Sequence, residues 1–156
     1  MGRVEGTVKI SSLIAADRII DLKSRSKNDV LRELFRVLEK APEITDGRDL
    51  ERSIIERENI LTTGIGFEIA VPHVQIPSVR NVVMAIGRNE EGIDFDSLDG
   101  KPVKLVIMVA SSDKQERNEF LRVLGKVVLL FKEESFRKKV LRAAGPVEVM
   151  DVIGGS

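Results

Sequence analysis

His73 is the single histidine of the sequence, and the sequence contains no cysteine. Because imidazole is the side chain whose ordinary pKa lies near neutrality, acid–base and nucleophilic chemistry at neutral pH is concentrated at this position. Pro72 precedes His73 and Pro77 follows shortly after, so the backbone is restricted on both sides. We therefore treat His73 as a candidate nucleophile held in one direction. The alternative is an imidazole that is buried or exposed without a chemical role.

Upstream of His73 lie residues suited to binding an anion. Thr62, Thr63, Gly64 and Gly66 offer hydroxyls and sterically open backbone N–H groups, which are the materials of small phosphate cradles. Arg57 has a planar guanidinium that suits two phosphoryl oxygens at once. The plainer alternatives are an ordinary glycine-containing turn and a surface ion-pair cluster around Arg57.

Other binding and catalytic classes do not fit the sequence. Gly64-Ile65-Gly66 is not a dinucleotide motif, because Ile69 occupies the position of the third glycine, and it lacks the Gly-Lys-Ser/Thr ending of a nucleotide P-loop. The spacing of Asp94, Asp96, Asp99 and Gly100 resembles a calcium loop, but Leu98 occupies the third ligand position and Leu105 the position of the final glutamate. One imidazole without thiolates does not make a zinc site, and no Gly-x-Ser-x-Gly sequence is present. We expect no metal and no cofactor.

Composition limits the possible partners and location. The 156 residues are 42% hydrophobic and 32% charged, with 25 basic and 25 acidic residues and no tryptophan or tyrosine, so nucleic-acid binding is not indicated. The length predicts one domain over residues 1–156. The apolar stretches Leu105–Ala110 and Val127–Phe131 are too short to span a membrane, and no secretory leader is recognised at the start. We expect a cytoplasmic protein without membrane insertion.

Apolar periodicity and capping residues predict a mixed α/β order of elements. Strands and helices alternate early and helices dominate the last third, which predicts a three-layer sandwich with a mixed β-sheet between helices on both faces. Ser26 and Asp46 or Thr45 are the predicted helix caps. The predicted strands are Ile19–Leu22, Val79–Gly87 and Lys104–Ala110; the predicted helices are the run ending at Leu38, Arg48–Glu58, Gln115–Phe131, Ser135–Ala144 and Val147–Ile153; Thr62–Gly66 is predicted to be a loop.

The order of four short motifs is more specific than any one of them. They are Glu56-Arg57-Glu58, Thr63-Gly64-Ile65-Gly66, Ile69-Ala70-Val71-Pro72-His73 and the run from Gly92 to Val103. With these motifs the sequence, from about Leu13 to Ile153, resembles the fructose/mannitol-type enzyme IIA domain of the phosphoenolpyruvate-dependent phosphotransferase system, a family that includes nitrogen-regulatory forms.

The resemblance implies a function for the candidate residues. His73 matches the family histidine that accepts a phosphoryl group from the small phosphocarrier protein, and Arg57 matches the arginine near the phosphorylated imidazole. The phosphoryl group is then passed to a IIB domain or serves as a regulatory signal. The resemblance thus implies a phosphotransferase component with a phosphohistidine intermediate. The alternative is a nitrogen-regulatory-type module that binds protein partners without obligatory phosphotransfer.

Two positions depart from the family pattern. Phe67-Glu68 stands where a small, turn-forming pair is common, which bears on the shape of that loop. Phe120 stands where many members carry a second histidine close to the phosphorylated one. A mechanism that needs two histidines is therefore not available to this chain, and His73 must act alone.

Overall fold

The structure, a computed structural model, describes residues 9–156. Within them lie five α-helices, six strands and two short 3-10 turns at Ile10–Ser12 and Ala16–Arg18. The helices are α1 (Lys27–Leu38), α2 (Gly47–Ile60), α3 (Arg117–Phe131), α4 (Glu134–Arg142) and α5 (Pro146–Gly154). The strands are β1 (Ile19–Asp21), β2 (Gly64–Gly66), β3 (Ile69–Ala70), β4 (His73–Ile76), β5 (Val83–Ile93) and β6 (Val103–Ser112). None of the helices in this range has the length and apolar character that crossing a membrane requires.

The strands form one mixed sheet, as predicted. Their order is β1-β5-β6-β3-β2, and β4 also pairs with β6. The long strands β5 and β6 are antiparallel to each other, whereas β1 runs parallel to β5 and both β3 and β4 run parallel to β6. Strand β2 is antiparallel to β3. The two strands that carry the longest Val- and Ile-rich sequences therefore lie in the interior of the sheet.

Strands β3 and β4 are two parts of one extended segment. Ile69 lies opposite Leu105 and His73 opposite Val109, so both strands keep the same register against β6. Pro72 lies between them and has no N–H to donate, but its carbonyl accepts a hydrogen bond of 2.9 Å from the Val109 N–H. Pairing with a buried central strand fixes the backbone on both sides of His73.

Strand β6 separates two hydrophobic cores. Its side chains alternate, with Val106 and Met108 on one face and Leu105 and Ile107 on the other. The first face packs against α1 and α2, and the second packs against α3, α4 and α5. Helices thus cover both faces of the sheet, and the predicted three-layer α/β sandwich is confirmed.

Helices α1 and α2 begin directly after predicted cap residues, Ser26 and Asp46. The Ser26 side chain accepts a hydrogen bond of 3.3 Å from the Asp29 N–H at the start of α1. Asp46 accepts from the N–H groups of Arg48 and Asp49, at 3.0 and 3.3 Å, at the start of α2. Each side-chain oxygen satisfies donors that have no partner inside the helix, so both helices begin at a defined residue.

The strand predicted over Val79–Gly87 is wrong at both ends, since β5 starts later and continues further. Val79 instead forms an isolated antiparallel bridge with Ile44, and the Arg80 N–H donates to the Glu43 carbonyl at 2.8 Å. These bonds hold the segment outside the sheet. At its far end β5 runs through the exposed and polar Glu90-Glu91, where the register is irregular and the apolar pattern gives no strand signal.

Candidate functional site

His73 is the first residue of β4, and its half-buried ring is oriented by the backbone. The Nδ1 atom lies 2.7 Å from the Val71 carbonyl oxygen. A carbonyl oxygen only accepts hydrogen bonds, so Nδ1 carries the proton. In the neutral ring Nε2 is then left with its lone pair, and it is the nitrogen available as a nucleophile.

The surroundings hold the pKa of His73 below its ordinary value of 6.5. Burial is the largest cause, because it disfavours the charged imidazolium. The hydrogen bond to Val71 and the carboxylate of Glu58 act in the opposite direction, whereas the positive charges of Arg57 and Arg117 lower the pKa further. The neutral form of the imidazole therefore predominates at pH 7.

Phe120 forms an apolar wall beside His73. The two ring centroids are 6.2 Å apart with their planes tilted by 55°. Phe120 is fully buried on α3 and offers neither a proton nor a hydrogen bond. The side of the His73 ring that faces α3 is therefore closed by a hydrocarbon ring.

Arg57 lies in the last turn of α2. Its Nη1 donates to the Leu61 carbonyl oxygen at 2.8 Å, so the guanidinium folds over the C-terminal end of its own helix. The neighbouring carboxylates have other cationic partners, Arg52 at 3.9 Å for Glu56 and Lys27 at 2.6 Å for Glu58. The charge of Arg57 acts instead on His73.

The predicted phosphate cradle lies next to the His73 segment, but its hydroxyls have protein partners. The Thr62 hydroxyl donates to the Phe95 carbonyl at 2.6 Å and accepts from the Gly64 N–H at 3.0 Å. The N–H and hydroxyl of Thr63 both donate to Glu58. The Thr63 carbonyl accepts from the Val71 N–H at 3.0 Å, which joins this segment to the residue that orients His73.

The stretch Thr62–Gly66 is not a loop throughout, because its last three residues form β2. Strands β2 and β3 make a hairpin whose two-residue turn, Phe67-Glu68, has both φ angles in the left-handed region, at 57° and 63°. Such turns favour asparagine and glycine. Here the Glu68 carboxylate pairs with Lys104 at 3.3 Å and Arg137 at 3.8 Å. These contacts hold the Glu68 side chain against β6 and α4, and Phe67 is left half-exposed at the tip.

Glu58 is a site residue that the sequence analysis did not select. Its buried carboxylate accepts from the Thr63 N–H at 2.9 Å, from the Thr63 hydroxyl at 2.6 Å and from Lys27 Nζ at 2.6 Å. Three donors satisfy a charge that would be costly to bury alone. The sequence places Glu58 in the motif around Arg57, but a glutamate in such a charged helical run is ordinarily exposed to solvent, so the motif did not identify it as a buried site residue.

Arg117 is a second residue that was missed, and no local sequence signal identifies it. It is the first residue of α3, and its Nη1 donates to Gln75 Oε1 at 2.6 Å. Its guanidinium carbon lies 6.0 Å from the centroid of the Phe120 ring. The fold alone brings the start of α3 close to β4, so two arginines from different helices act on His73.

Comparison with known proteins agrees with this geometry. The profile of the family described as phosphoenolpyruvate-dependent sugar phosphotransferase system, EIIA 2, matches residues 13–155. Two curated relatives differ in their described function, one being a sugar-specific component and the other a regulatory protein. The fructose-specific EIIABC component of Bacillus subtilis is 35% identical over 94% of this chain, which spans only 23% of that protein. A nitrogen regulatory protein of Bradyrhizobium diazoefficiens is 32% identical, with 86% of this chain and 87% of the relative covered.

Solved structures share the fold. The nitrogen regulatory protein IIA-Ntr of Neisseria meningitidis superposes with a TM-score of 0.84 at 27% identity, covering 92% of this chain and 98% of that one. The mannitol IIA of Escherichia coli superposes with a TM-score of 0.75 at 22% identity, covering 89% and 97%. At 22% identity, the similarity to the mannitol IIA shows a shared fold only.

Proposed function

The chain belongs to the EIIA 2 family of the phosphoenolpyruvate-dependent sugar phosphotransferase system, and on that premise we propose that it is a phosphocarrier domain that accepts a phosphoryl group on His73. One observation carries this proposal. The Val71 carbonyl holds the proton of His73 on Nδ1, at 2.7 Å, and leaves Nε2 as a neutral nucleophile. The donor is the small phosphocarrier protein of that system, and the whole chain acts as one domain in the cytoplasm.

In the proposed step Nε2 of His73 attacks the phosphorus of the donor's phosphohistidine. A new N–P bond forms on His73, and the donor N–P bond breaks with its electron pair returning to the donor imidazole. The proton on Nδ1 stays in its hydrogen bond with Val71. Phosphoryl transfer has little covalent work for the protein to do, so positioning and electrostatic stabilisation determine the rate.

We assign Arg57 to stabilising the transferred group. One of its five N–H donors is bonded to Leu61, and the others suit phosphoryl oxygens. Thr62, Thr63, Gly64 and Gly66 remain the proposed cradle, with the condition that the threonine hydroxyls and the N–H groups of Thr63 and Gly64 exchange their present protein partners for phosphoryl oxygens. The positive charge of Arg57 disfavours an imidazolium at His73 and favours a phosphoryl dianion there. The same charge therefore stabilises the neutral nucleophile before transfer and the phosphorylated imidazole after it.

The donor protein docks, in this proposal, on a surface of exposed apolar side chains around the cradle segment. We call it the rim surface; it consists of Ile60, Leu61, Phe67 and Leu98, each more than half exposed. The Leu61 carbonyl accepts the hydrogen bond from Arg57, and the Leu98 N–H donates to the carbonyl of the cradle residue Gly64 at 2.8 Å, so the rim surface adjoins both Arg57 and the cradle. A small apolar surface suits a partner that must bind and leave quickly.

The acceptor is a IIB domain or a regulatory protein target. The competing function is a nitrogen-regulatory-type interaction module that binds partners without obligatory phosphotransfer. Phe120 favours this module, because a phenylalanine there replaces the second imidazole.

The deciding experiment supplies phosphoenolpyruvate, enzyme I and the carrier protein. The wild type is expected to gain one acid-labile, alkali-stable phosphate and His73→Ala none. If the wild type stays unmodified while the carrier is fully phosphorylated, the interaction module becomes the preferred function.

A further inference from the structure

Arg117 and Phe120 lie on the same side of α3, three residues apart, and both face β4. Phe120 meets the His73 ring, and Arg117 donates to Gln75, the residue two positions after His73. Side chains two residues apart on a strand point to the same face, so Gln75 and His73 share a face of β4. The structure thus places a guanidinium on the side of His73 that the Phe120 ring closes.

Gln75 holds this guanidinium in position. Its Nε2 lies 3.4 Å from the Ser112 carbonyl and 3.2 Å from the Gln115 carbonyl, and it donates to both. The amide oxygen is thereby turned toward Arg117, which it meets at 2.6 Å. The segment between β6 and α3 fixes Gln75, and Gln75 in turn fixes Arg117 before any partner binds.

The location of Arg117 is electrostatically unfavourable for the helix. The N-terminal end of a helix carries partial positive charge, so a cation in the first turn opposes the macrodipole. Glu116 and Glu119 in the same turn provide the charge that this end favours. Arg117 therefore contributes nothing to the electrostatic stability of this helix end, and its guanidinium is directed to Gln75 and Phe120 beside His73.

We propose that Arg117 is a second phosphoryl-binding residue, which contacts the phosphoryl group on Nε2 of His73 from the α3 side. The inference rests on the proposed function and adds a residue to it. Arg57 reaches the site from α2 and Arg117 from α3, so the two guanidinium groups flank the imidazole from two elements. Both charges already act on His73 in the unphosphorylated protein.

The role of Arg117 is electrostatic and involves no proton transfer, because a guanidinium stays charged at all relevant pH values. The bonds made and broken are those of the step above, between phosphorus and the two imidazole nitrogens. Arg117 keeps one N–H on Gln75 and donates others to phosphoryl oxygens. It provides on the Phe120 side the positive charge and hydrogen bonds that a hydrocarbon ring does not supply.

The test compares Arg117→Gln and Arg117→Lys with the control Arg36→Gln. Arg36 is exposed on α1, and it lies about 13 Å along that helix from Lys27, which meets Glu58. Loss of a charged hydrogen bond predicts that Arg117→Gln slows single-turnover transfer from the phosphorylated carrier about 10- to 100-fold. Arg117→Lys recovers part of the rate, and Arg36→Gln transfers at the wild-type rate. The lifetime of the phosphohistidine is also expected to change in Arg117→Gln and to stay at the wild-type value in Arg36→Gln.

Wild-type transfer and an unchanged phosphohistidine lifetime in Arg117→Gln would overturn the inference. Failure of the proposed function is a different outcome, in which neither the wild type nor Arg36→Gln accepts a phosphoryl group. In that case a titration with inorganic phosphate, followed through the NMR signal of the His73 ring, decides about Arg117 alone. Weaker phosphate binding in Arg117→Gln than in Arg36→Gln supports an anion site, and equal binding rejects it.

Discussion

Glu58 and Thr63 are joined by two hydrogen bonds that use both oxygens of one buried carboxylate. The Thr63 N–H donates to Oε2 at 2.9 Å and the Thr63 hydroxyl donates to Oε1 at 2.6 Å. Thr63 in turn accepts from the Val71 N–H, and Val71 accepts from His73. A continuous chain of hydrogen bonds therefore runs from the end of α2 to the nucleophile.

Glu58→Gln is expected to destabilise the protein by about 3 kcal/mol, since Lys27 then faces an uncharged amide in a largely buried site and keeps only the longer contact, 3.8 Å, with the exposed carboxylate of Asp96. One Thr63 donor also loses its acceptor, because the amide nitrogen accepts no hydrogen bond. The measurement is the free energy of unfolding in urea. Glu56→Gln is the matched control on the same helix; its ion pair is exposed and 3.9 Å long, and it changes stability by about 0.5 kcal/mol or less. Equal effects of the two substitutions would contradict a structural role for Glu58.

The lowered pKa of His73 predicts two pH dependences. Because the pKa lies below 6.5 in the folded protein, more than half of the imidazole is neutral at pH 6.5, and its titration midpoint lies lower still. The unfolded chain takes up a proton near its ordinary value, so stability is lost as pH falls through 6.5 and levels off below the folded pKa. His73 is the single histidine, so one NMR signal follows its titration. A midpoint at or above 6.5 would contradict this prediction.

The elements that local chemistry specifies were predictable from the sequence. Ser26 and Asp46 cap the helices at which they were placed, and the apolar run Lys104–Ala110 identified the strand β6. The hairpin of β2 and β3 was missed because Phe67-Glu68 does not have the composition of a two-residue turn; its ion pairs come from distant parts of the chain.

The site was predictable only as far as sequence neighbours go. His73 and Arg57 stood out by residue type, as the single imidazole and as a bidentate donor near a helix end. Arg117 and Glu58 acquire their significance from contacts with β4 and with the α1 start, and these contacts depend on how β6 leads into α3 and how α2 packs on α1. Pairings of this kind are set by the tertiary structure and leave no local pattern.

Arg57→Lys is expected to keep the fold and slow phosphotransfer about tenfold, because a point charge replaces a planar donor at an electrostatically stabilised transition state. The measurement is single-turnover transfer from the phosphorylated carrier. Arg52→Lys on the same helix is the control, since Arg52 is exposed and pairs with Asp49 and Glu56. A wild-type rate in Arg57→Lys would remove Arg57 from the proposed step.

The rim surface predicts where the carrier binds. Ile60 is 81% exposed, so Ile60→Ser leaves stability nearly unchanged and weakens carrier binding several-fold. Val147→Ser on α5, at a residue 70% exposed, is the exposure-matched control and leaves binding unchanged. NMR shift changes induced by the carrier are expected around His73 and the rim surface. Shift changes centred on α5 instead would place the partner elsewhere.

The single imidazole of the chain is expected to suffice for accepting a phosphoryl group. Phe120 is fully buried beside His73, so Phe120→His places a polar ring in an apolar site and costs about 2 kcal/mol of stability. With one nucleophile sufficient, the wild type, Phe120→Leu and Phe120→His each gain one phosphate, and the His73→Ala/Phe120→His double variant gains none. Intact mass under alkaline conditions counts the phosphates, and the transfer rate of Phe120→His differs from that of the wild type. If only Phe120→His is phosphorylated, the second histidine is required for transfer, and the natural chain acts as the interaction module.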